Sequence, residues 1–233
     1  MKYENLLFDV DDTLLDFKAA ELAGLTKLFG NHGYTLTDKL LAKYQMMNQS
    51  LWKDYEENRR TREEILDTRF GLFFDKLGKK VDSQAMEQEY RHYLNQGSQR
   101  LGNSLDIIAD LSNKANLYVV TNGVAKTQYQ RLEAASLLPY FKDIFVSETI
   151  GYQKPRVEFF EHVFRHIPQV DLSKTVIIGD SLSSDIQGGI NAGIDNIWLN
   201  PHGQNSDKIQ PTYMIQSLDE LYEILQCMIW FTK

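Results

Sequence analysis

The sequence predicts an α/β fold: a doubly wound parallel sheet with an α-helical bundle inserted after its first strand. Three observations carry that expectation. Leu6-Leu7-Phe8 is a short apolar run of strand type, closed by the acidic turn Asp9-Val10-Asp11-Asp12. From about Phe17 to Gly97 the apolar spacing is helical throughout. Beyond Gly97, short β-rich runs alternate with helical stretches, the pattern of a parallel sheet with helices on both faces.

Taken in order, Leu6 to Phe8 is too short to bury itself alone, so it must join the later strands in one sheet. Four apolar stripes follow: Leu25, Leu28 and Phe29; Leu40, Leu41, Tyr44 and Met47; Leu66, Phe70, Phe73 and Leu77; then Met86, Tyr90, Tyr93 and Leu94. Such spacing puts each set on one helix face, and Gly33, Gly78 and Gly97 fall at the expected helix ends. Four helices with short connections make a small antiparallel bundle. Later strands are predicted at Leu117–Val120, Ile144–Val146, Thr175–Ile178 and Asn196–Leu199. Helices over about Lys126–Leu137, Arg156–Ile167 and Ser183–Ala192 separate them. The expected division is a Rossmann-like α/β core from residues 1–16 and 98–233 and a helical cap from 17–97. An insertion hinged just after the first strand is expected over the carboxyl ends of the strands, as a lid.

With 233 residues the chain has room for one large domain or a domain with an inserted module. Its 42% hydrophobic and 24% charged residues are those of a soluble globular protein. A net charge of −7 argues against nucleic acid or an anionic membrane as partner, but not against a small anionic metabolite that meets a local field. No apolar run approaches a membrane span, and Met1–Asn5 leads into the first strand without the apolar segment of a signal peptide. The apolar Met228-Ile229-Trp230-Phe231 is expected to pack against the body or a partner subunit. The single cysteine, Cys227, can form no internal disulfide, and reads as a small hydrophobe of a terminal helix in a reducing, cytoplasmic setting.

Residues two apart on an extended chain point the same way, so Asp9 and Asp11 are expected to face one spot at the carboxyl end of the first strand. Crowded carboxylates repel unless a cation or shared proton neutralises them, which suits a hard, oxygen-seeking ion such as Mg²⁺. Open α/β sheets also bind their ligands at that end. The competing reading is an acidic loop capping a helix, with Asp12 or Asp16 near its N-terminus. Later strands end in polar residues of a definite kind. Thr121-Asn122-Gly123 offers a hydroxyl, an amide and a glycine N–H ahead of a helix, where anions bind, although Thr121 alone is more often a turn residue. Pro155 disfavours a helical Lys154 and holds it on a short loop, although an isolated lysine is more often a solvated charge. Asp180 ends a further strand, and Asp185 falls in the first turn of the next helix, where a carboxylate also suits the helix dipole. Carboxylates that suit Mg²⁺, joined to Thr, Asn and Lys that suit a phosphate, imply phosphoryl transfer.

Asp9-x-Asp11-x-Thr13, Thr121-Asn122, Lys154-Pro155 and Gly179-Asp180 with Asp185 together resemble the motifs of the haloacid dehalogenase-like hydrolase superfamily, in that family's order and over essentially the full chain. The resemblance implies that Asp9 attacks phosphorus and forms an aspartyl-phosphate, and that Asp11 serves as general acid and then as base. It implies that Asp9, the Asp11 backbone carbonyl and Asp180 bind Mg²⁺, with Asp185 anchoring the metal's water shell or Lys154. Thr121, the Asn122 backbone and Lys154 would hold the phosphoryl oxygens. Catalytic candidates are thus Asp9, Asp11 and Lys154. True dehalogenases of the family lack a residue like Asp11 and need no metal, so Asp11 and Asp180 favour a phosphatase.

In the helical block, Asn48-x-x-Leu51-Trp52-x-x-Tyr55 and Arg69-Phe70 resemble the nucleotidase branch that hydrolyses pyrimidine nucleoside monophosphates, as do Gly188–Gly193 and Trp198-Leu199-Asn200. This resemblance implies a nucleotide as the small-molecule partner and Trp52 and Arg69 as substrate contacts. Bundle core is the competing reading of Trp52, Tyr55 and Phe70, and a solvated charge that of Arg69. Alternatives of the same superfamily are a sugar-phosphate phosphatase and a phosphomutase. An alternative of another class is a phosphoacceptor signalling module, although such modules are shorter and carry their phosphoacceptor mid-sheet. A nucleotide-cofactor oxidoreductase fits poorly, because the first strand–helix turn lacks G-x-G-x-x-G.

Overall fold

A computed structural model describes residues 1–206 and 208–225. Cys227 and Met228–Phe231 lie outside the described residues. The strands β1 (Asn5–Phe8), β2 (Asn116–Thr121), β3 (Asp143–Val146), β4 (Thr175–Gly179), β5 (Asp195–Leu199) and β6 (Tyr213–Ile215) form one sheet in the order β3-β2-β1-β4-β5-β6. Every neighbouring pair is parallel. The order reverses at β1, whose Leu6 pairs with Leu117 on one side and Val176 on the other. This is the switch point at which doubly wound sheets open a crevice for ligands.

Two compact units divide the chain, 17–97 and the remainder. The first holds the helices α1 (Phe17–Asn31), α2 (Asp38–Glu56), α3 (Arg62–Asp75) and α4 (Ser83–Leu94). Its core is aromatic, with Phe29, Tyr44, Phe70, Phe73, Phe74 and Tyr90 buried among Leu25, Leu28 and Met86. Helix ends are set locally. Thr37 and Asp82 cap α2 and α4, and Thr61 and Glu64 form a reciprocal capping box on α3. On α3 the buried stripe includes Ile65 where Leu66 was expected.

The second unit adds α5 (Ser104–Ser112), α6 (Ala125–Ala134), α7 (Ser147–Ile150), α8 (Val157–His166), α9 (Gln187–Ala192) and α10 (Leu221–Leu225) to the sheet. Side chains alternate between the two faces of each strand. Leu6, Phe8, Val119 and Ile178 pack on one side with Ile107, Ile108, Leu111 and Leu132. Leu7, Tyr118, Val120 and Ile177 pack on the other with Phe159, Phe160 and Val163. Burial on both faces explains why these strands read as continuous apolar runs.

The fold class is the expected one, with local differences. Neither α5 nor β6 was anticipated. The helix expected to reach Leu137 stops at Ala134, and Ser136 turns into the left-handed region at φ 61°. The helix expected from Ser183 starts as a π-helical turn, Leu182–Ile186, before α9. No helix among the described residues is long and apolar enough to cross a membrane.

Candidate active site

The site is built at the carboxyl ends of β1, β2 and β4. Beyond β1 the chain keeps the sheet's pairing for one more residue, with Asp9 N donating to Ile178 O at 2.9 Å. It then folds over Val10, whose carbonyl accepts from Leu14 N and Leu15 N. Asp9 is thereby fixed at the strand tip with its side chain almost fully buried.

Lys154 is the centre of the charge arrangement and no surface lysine, being 1% exposed. Its ammonium donates to Asp9 Oδ1 at 2.8 Å, Asp185 Oδ1 at 2.5 Å and Val120 O at 2.7 Å. Those acceptors use all three N–H bonds of a lysine. The loop that carries it is clipped to the end of β2. Asn122 Nδ2 donates to Lys154 O and Lys154 N to Asn122 Oδ1, both at 2.9 Å. Sequence reasoning put Asn122 beside the phosphate through its backbone; the structure gives its side chain this second task.

Asp180 follows β4, its carbonyl held by Trp198 Nε1 at 2.8 Å. Asp185 lies in the π-helical turn and is completely buried, with Oδ2 accepting from Ser181 N at 3.0 Å. Gly179 permits this: a Cβ there would overlap the Asp185 carboxylate. Carboxylate oxygens of Asp9, Asp180 and Asp185 lie within 4.8 Å of one another.

Charge counting shows what the cluster lacks. Three carboxylates face one ammonium, which leaves two negative charges for a divalent cation to neutralise. Burial, the largest influence, pushes the Asp9 carboxyl up; Lys154 pulls it back, and Asp185 and Asp11 push it up again, to about 7. Burial alone would depress the Lys154 ammonium, but Asp185 and Asp9 outweigh it and raise its pKa. An all-oxygen donor set fits Mg²⁺.

Asp11 departs from the expectation that it would face the same spot as Asp9. Its carboxylate is not a member of the three-carboxylate cluster. Instead Gln128 Nε2 donates to Oδ2 at 2.6 Å, and Arg131 pairs with Oδ1. The Asp11 carboxylate is thus engaged by α6 and lies outside that cluster.

Thr121, at the tip of β2, accepts from Gly123 N at 3.1 Å and Gln128 Nε2 at 3.2 Å. A hydroxyl with both lone pairs engaged keeps its proton to donate, which suits a phosphoryl oxygen. The structure thus brings Asp9, Lys154, Asp180 and Asp185 together in one unit, and Thr121 and Asn122 border them.

The two residues predicted from the helical block fare differently. Trp52 is half-buried, edge-on to Tyr55 at 5.8 Å between ring centroids. Arg69 is buried at 2% exposure and committed inside the bundle. Its Nε and Nη2 donate to Glu87 at 2.7 and 2.8 Å, and Nη1 donates to Asn48 at 3.2 Å. A solvated charge does not describe it, and its donors are spent on Glu87 and Asn48. A fork of donors facing a carboxylate is a structural pairing.

Gln128 and Arg131 escaped sequence reasoning. The usable signal was the stripe Gln128, Arg131, Leu132, Ala135, on which two polar residues share the buried face of a helix.

The description "haloacid dehalogenase-like hydrolase" matches residues 6–199. The HAD-hydrolase YfnB of Bacillus subtilis is 48% identical over 225 residues, covering 96% of each chain. Its magnesium-bound crystal structure superposes with a TM-score of 0.92, over 97% of this chain and 100% of that one. Pyrimidine 5′-nucleotidase PynA of Streptococcus pneumoniae is 41% identical, over 97% of this chain and 96% of its own. Pyrimidine 5′-nucleotidase YjjG of Escherichia coli is 30% identical, over 97% and 99%. Likeness of this extent, on a sheet whose strand ends carry the motifs in order, makes the chain a member of the haloacid dehalogenase-like hydrolase family.

Proposed function

We propose that the protein is a Mg²⁺-dependent phosphomonoesterase that works through an aspartyl-phosphate, with nucleoside 5′-monophosphates, pyrimidines foremost, as substrates. The observation that carries the reading is the buried Asp9, gripped by Lys154 beside Asp180 and Asp185 at the switch point of the sheet.

Asp9 attacks phosphorus, and the bond from phosphorus to the ester oxygen breaks. Asp11 enters this step protonated and gives that proton to the departing alkoxide. Asp11, now ionised, then takes a proton from the water that attacks the aspartyl-phosphate, releasing inorganic phosphate and restoring Asp9. Thr121 donates a hydrogen bond from its hydroxyl to a phosphoryl oxygen. The Lys154 ammonium holds Asp9 in line and reaches a phosphoryl oxygen by exchanging one of its three acceptors. Asp9, Asp180, the Asp11 carbonyl and Asp185 would hold the metal, which supplies charge neutralisation at the phosphoryl oxygens. The single cysteine of the chain accords with work in the cytoplasm.

Activity is expected to require a divalent ion, with Mg²⁺ preferred and Ca²⁺ inhibitory, since Ca²⁺ takes more ligands at longer distances. Stability gives a second readout. The folded protein holds the Asp9 proton up to about pH 7, whereas an unfolded chain releases it near pH ~4. Metal-free protein therefore loses stability as pH rises through that window. Mg²⁺ needs the ionised carboxylate, so it should raise the melting temperature more at about pH 8 than at about pH 5.5. Full activity after exhaustive chelation, with no metal effect on melting, would contradict the site.

Substrate choice rests on the likeness to PynA and YjjG, both named pyrimidine 5′-nucleotidases. Uridine and thymidine monophosphates are expected ahead of purine nucleotides and hexose phosphates in kcat/KM. A hexose phosphate ahead by tenfold, about 1.4 kcal/mol of transition-state preference, would sink the nucleotidase reading and spare the phosphatase chemistry. Trp52 is proposed as the stacking platform for the base. Base–aromatic stacking contributes about 1–3 kcal/mol, so Trp52→Ala should raise KM for pyrimidine nucleotides at least about fivefold. Its kcat on p-nitrophenyl phosphate should hold. An unchanged nucleotide KM would remove Trp52 from the substrate.

A further inference from the structure

We infer that Gln128 and Arg131 are positioning residues that hold the Asp11 carboxylate for proton transfer and tie it to the phosphate-binding Thr121. The inference rests on the acid–base part proposed above for Asp11.

The geometry is specific. On α6, positions three apart lie on one face, and here that face carries Gln128 and Arg131, each 1% exposed. Both reach the same carboxylate, one to each oxygen. The Asp11 side chain is itself 31% exposed, so it is gripped from inside by two buried donors while its other edge stays open to an arriving ester. A carboxylate on a loop rotates freely unless its oxygens are engaged, and proton transfer needs the acid within hydrogen-bond reach of the leaving oxygen.

Gln128 serves two groups with one amide. Its Nε2 bonds Asp11 Oδ2 at 2.6 Å and Thr121 Oγ1 at 3.2 Å. The proton donor for the leaving group and the hydroxyl for the phosphoryl oxygen are therefore set relative to each other by one side chain. The backbone makes room for it. A Cβ at Gly123 would stand 2.8 Å from Gln128 Cδ and 2.9 Å from Cγ, so only glycine at 123 lets the amide lie where it does. A glutamine used only for packing would need neither this clearance nor these partners.

The test compares two esters that differ in their need for a proton. Uridine monophosphate leaves as an alkoxide and needs one; p-nitrophenyl phosphate leaves as a stable phenolate and does not. kcat/KM reports binding and the first phosphoryl transfer, before Asp11 acts as base. Gln128→Leu and Arg131→Met are expected to lower kcat/KM on uridine monophosphate about 10²-fold, the low end of general-acid effects, and on the aryl ester less than about tenfold. Arg131→Lys, which keeps a charged donor, should recover part of the loss. Asp11→Asn is the reference and should show the same split. If Asp11→Asn splits the substrates and the Gln128 and Arg131 variants lower both equally, the clamp is overturned and Asp11 keeps its part. If Asp11→Asn itself produces no split, the acid–base reading fails and the clamp falls with it. Should Arg131→Met fail to fold, Gln128→Leu and Arg131→Lys decide the question alone.

Discussion

Asp9→Asn is expected to lower turnover by on the order of 10⁴-fold or more, the scale seen when a covalent nucleophile is removed, while the protein still folds. An amide has the carboxylate's shape but no charge with which to attack phosphorus. The fold should tolerate the change because Asp9 sits under strain from its neighbours: Asp185 and Asp11 both oppose its ionisation, as burial does. Lys154 loses one charged acceptor but keeps Asp185 and Val120 O. Circular dichroism should therefore match the wild type, and metal-free melting should be no lower, while phosphate release disappears. A variant with near wild-type rate would remove Asp9 from the nucleophile's place.

The second large effect is expected in the helical unit and on stability. Arg69→Ala would strip Glu87 of a forked partner in a buried setting, a change that destabilises by about 3–5 kcal/mol when one member of a buried ion pair is removed. The lower end is expected, since Arg91 Nη2 also donates to Glu87 Oε1 at 2.7 Å. Arg69 also lies over the Tyr90 ring at 4.9 Å, so the truncation empties packed space as well. At that lower end, ~3 kcal/mol, a chain of this length melts lower by roughly 6–12 °C. Combining Arg69→Met with Glu87→Gln should restore most of it, because no buried charge is then left alone. Wild-type melting with a raised nucleotide KM would return Arg69 to the substrate.

The contrast between Arg69 and Asp9 marks what the sequence makes legible. Strand ends could be read because a run such as Leu6–Phe8, buried on both faces, stands out, and the polar residues after it have no place in a core. Lys154, Asp180 and Asp185 were found by the same reasoning, each after a recognised strand. Side-chain partnerships could not be read that way. Nothing in the spacing of Arg69 and Glu87, on different helices, announces their pairing, and a buried arginine resembles a binding one until its acceptors are known. β6 escaped because its three residues form an edge with only Ile215 buried, too short for alternation to register. The different directions of the Asp9 and Asp11 side chains escaped because the period-two rule holds only while the chain stays extended, and here it folds over Val10 after one more residue.

The central claim, covalent catalysis by Asp9, is tested most directly by trapping the intermediate. Asp11→Asn enzyme, with the base for the second step removed, should be mixed with Mg²⁺ and p-nitrophenyl phosphate, quenched in acid and mapped by mass spectrometry. Because this ester needs no proton to leave, the first step proceeds and the aspartyl-phosphate should accumulate. The expected result is a phosphoryl group on the peptide that carries Asp9, absent from the Asp9→Asn, Asp11→Asn double variant. Phosphate release by the wild type with no adduct in either enzyme, or with an adduct on a residue other than Asp9, would contradict the account.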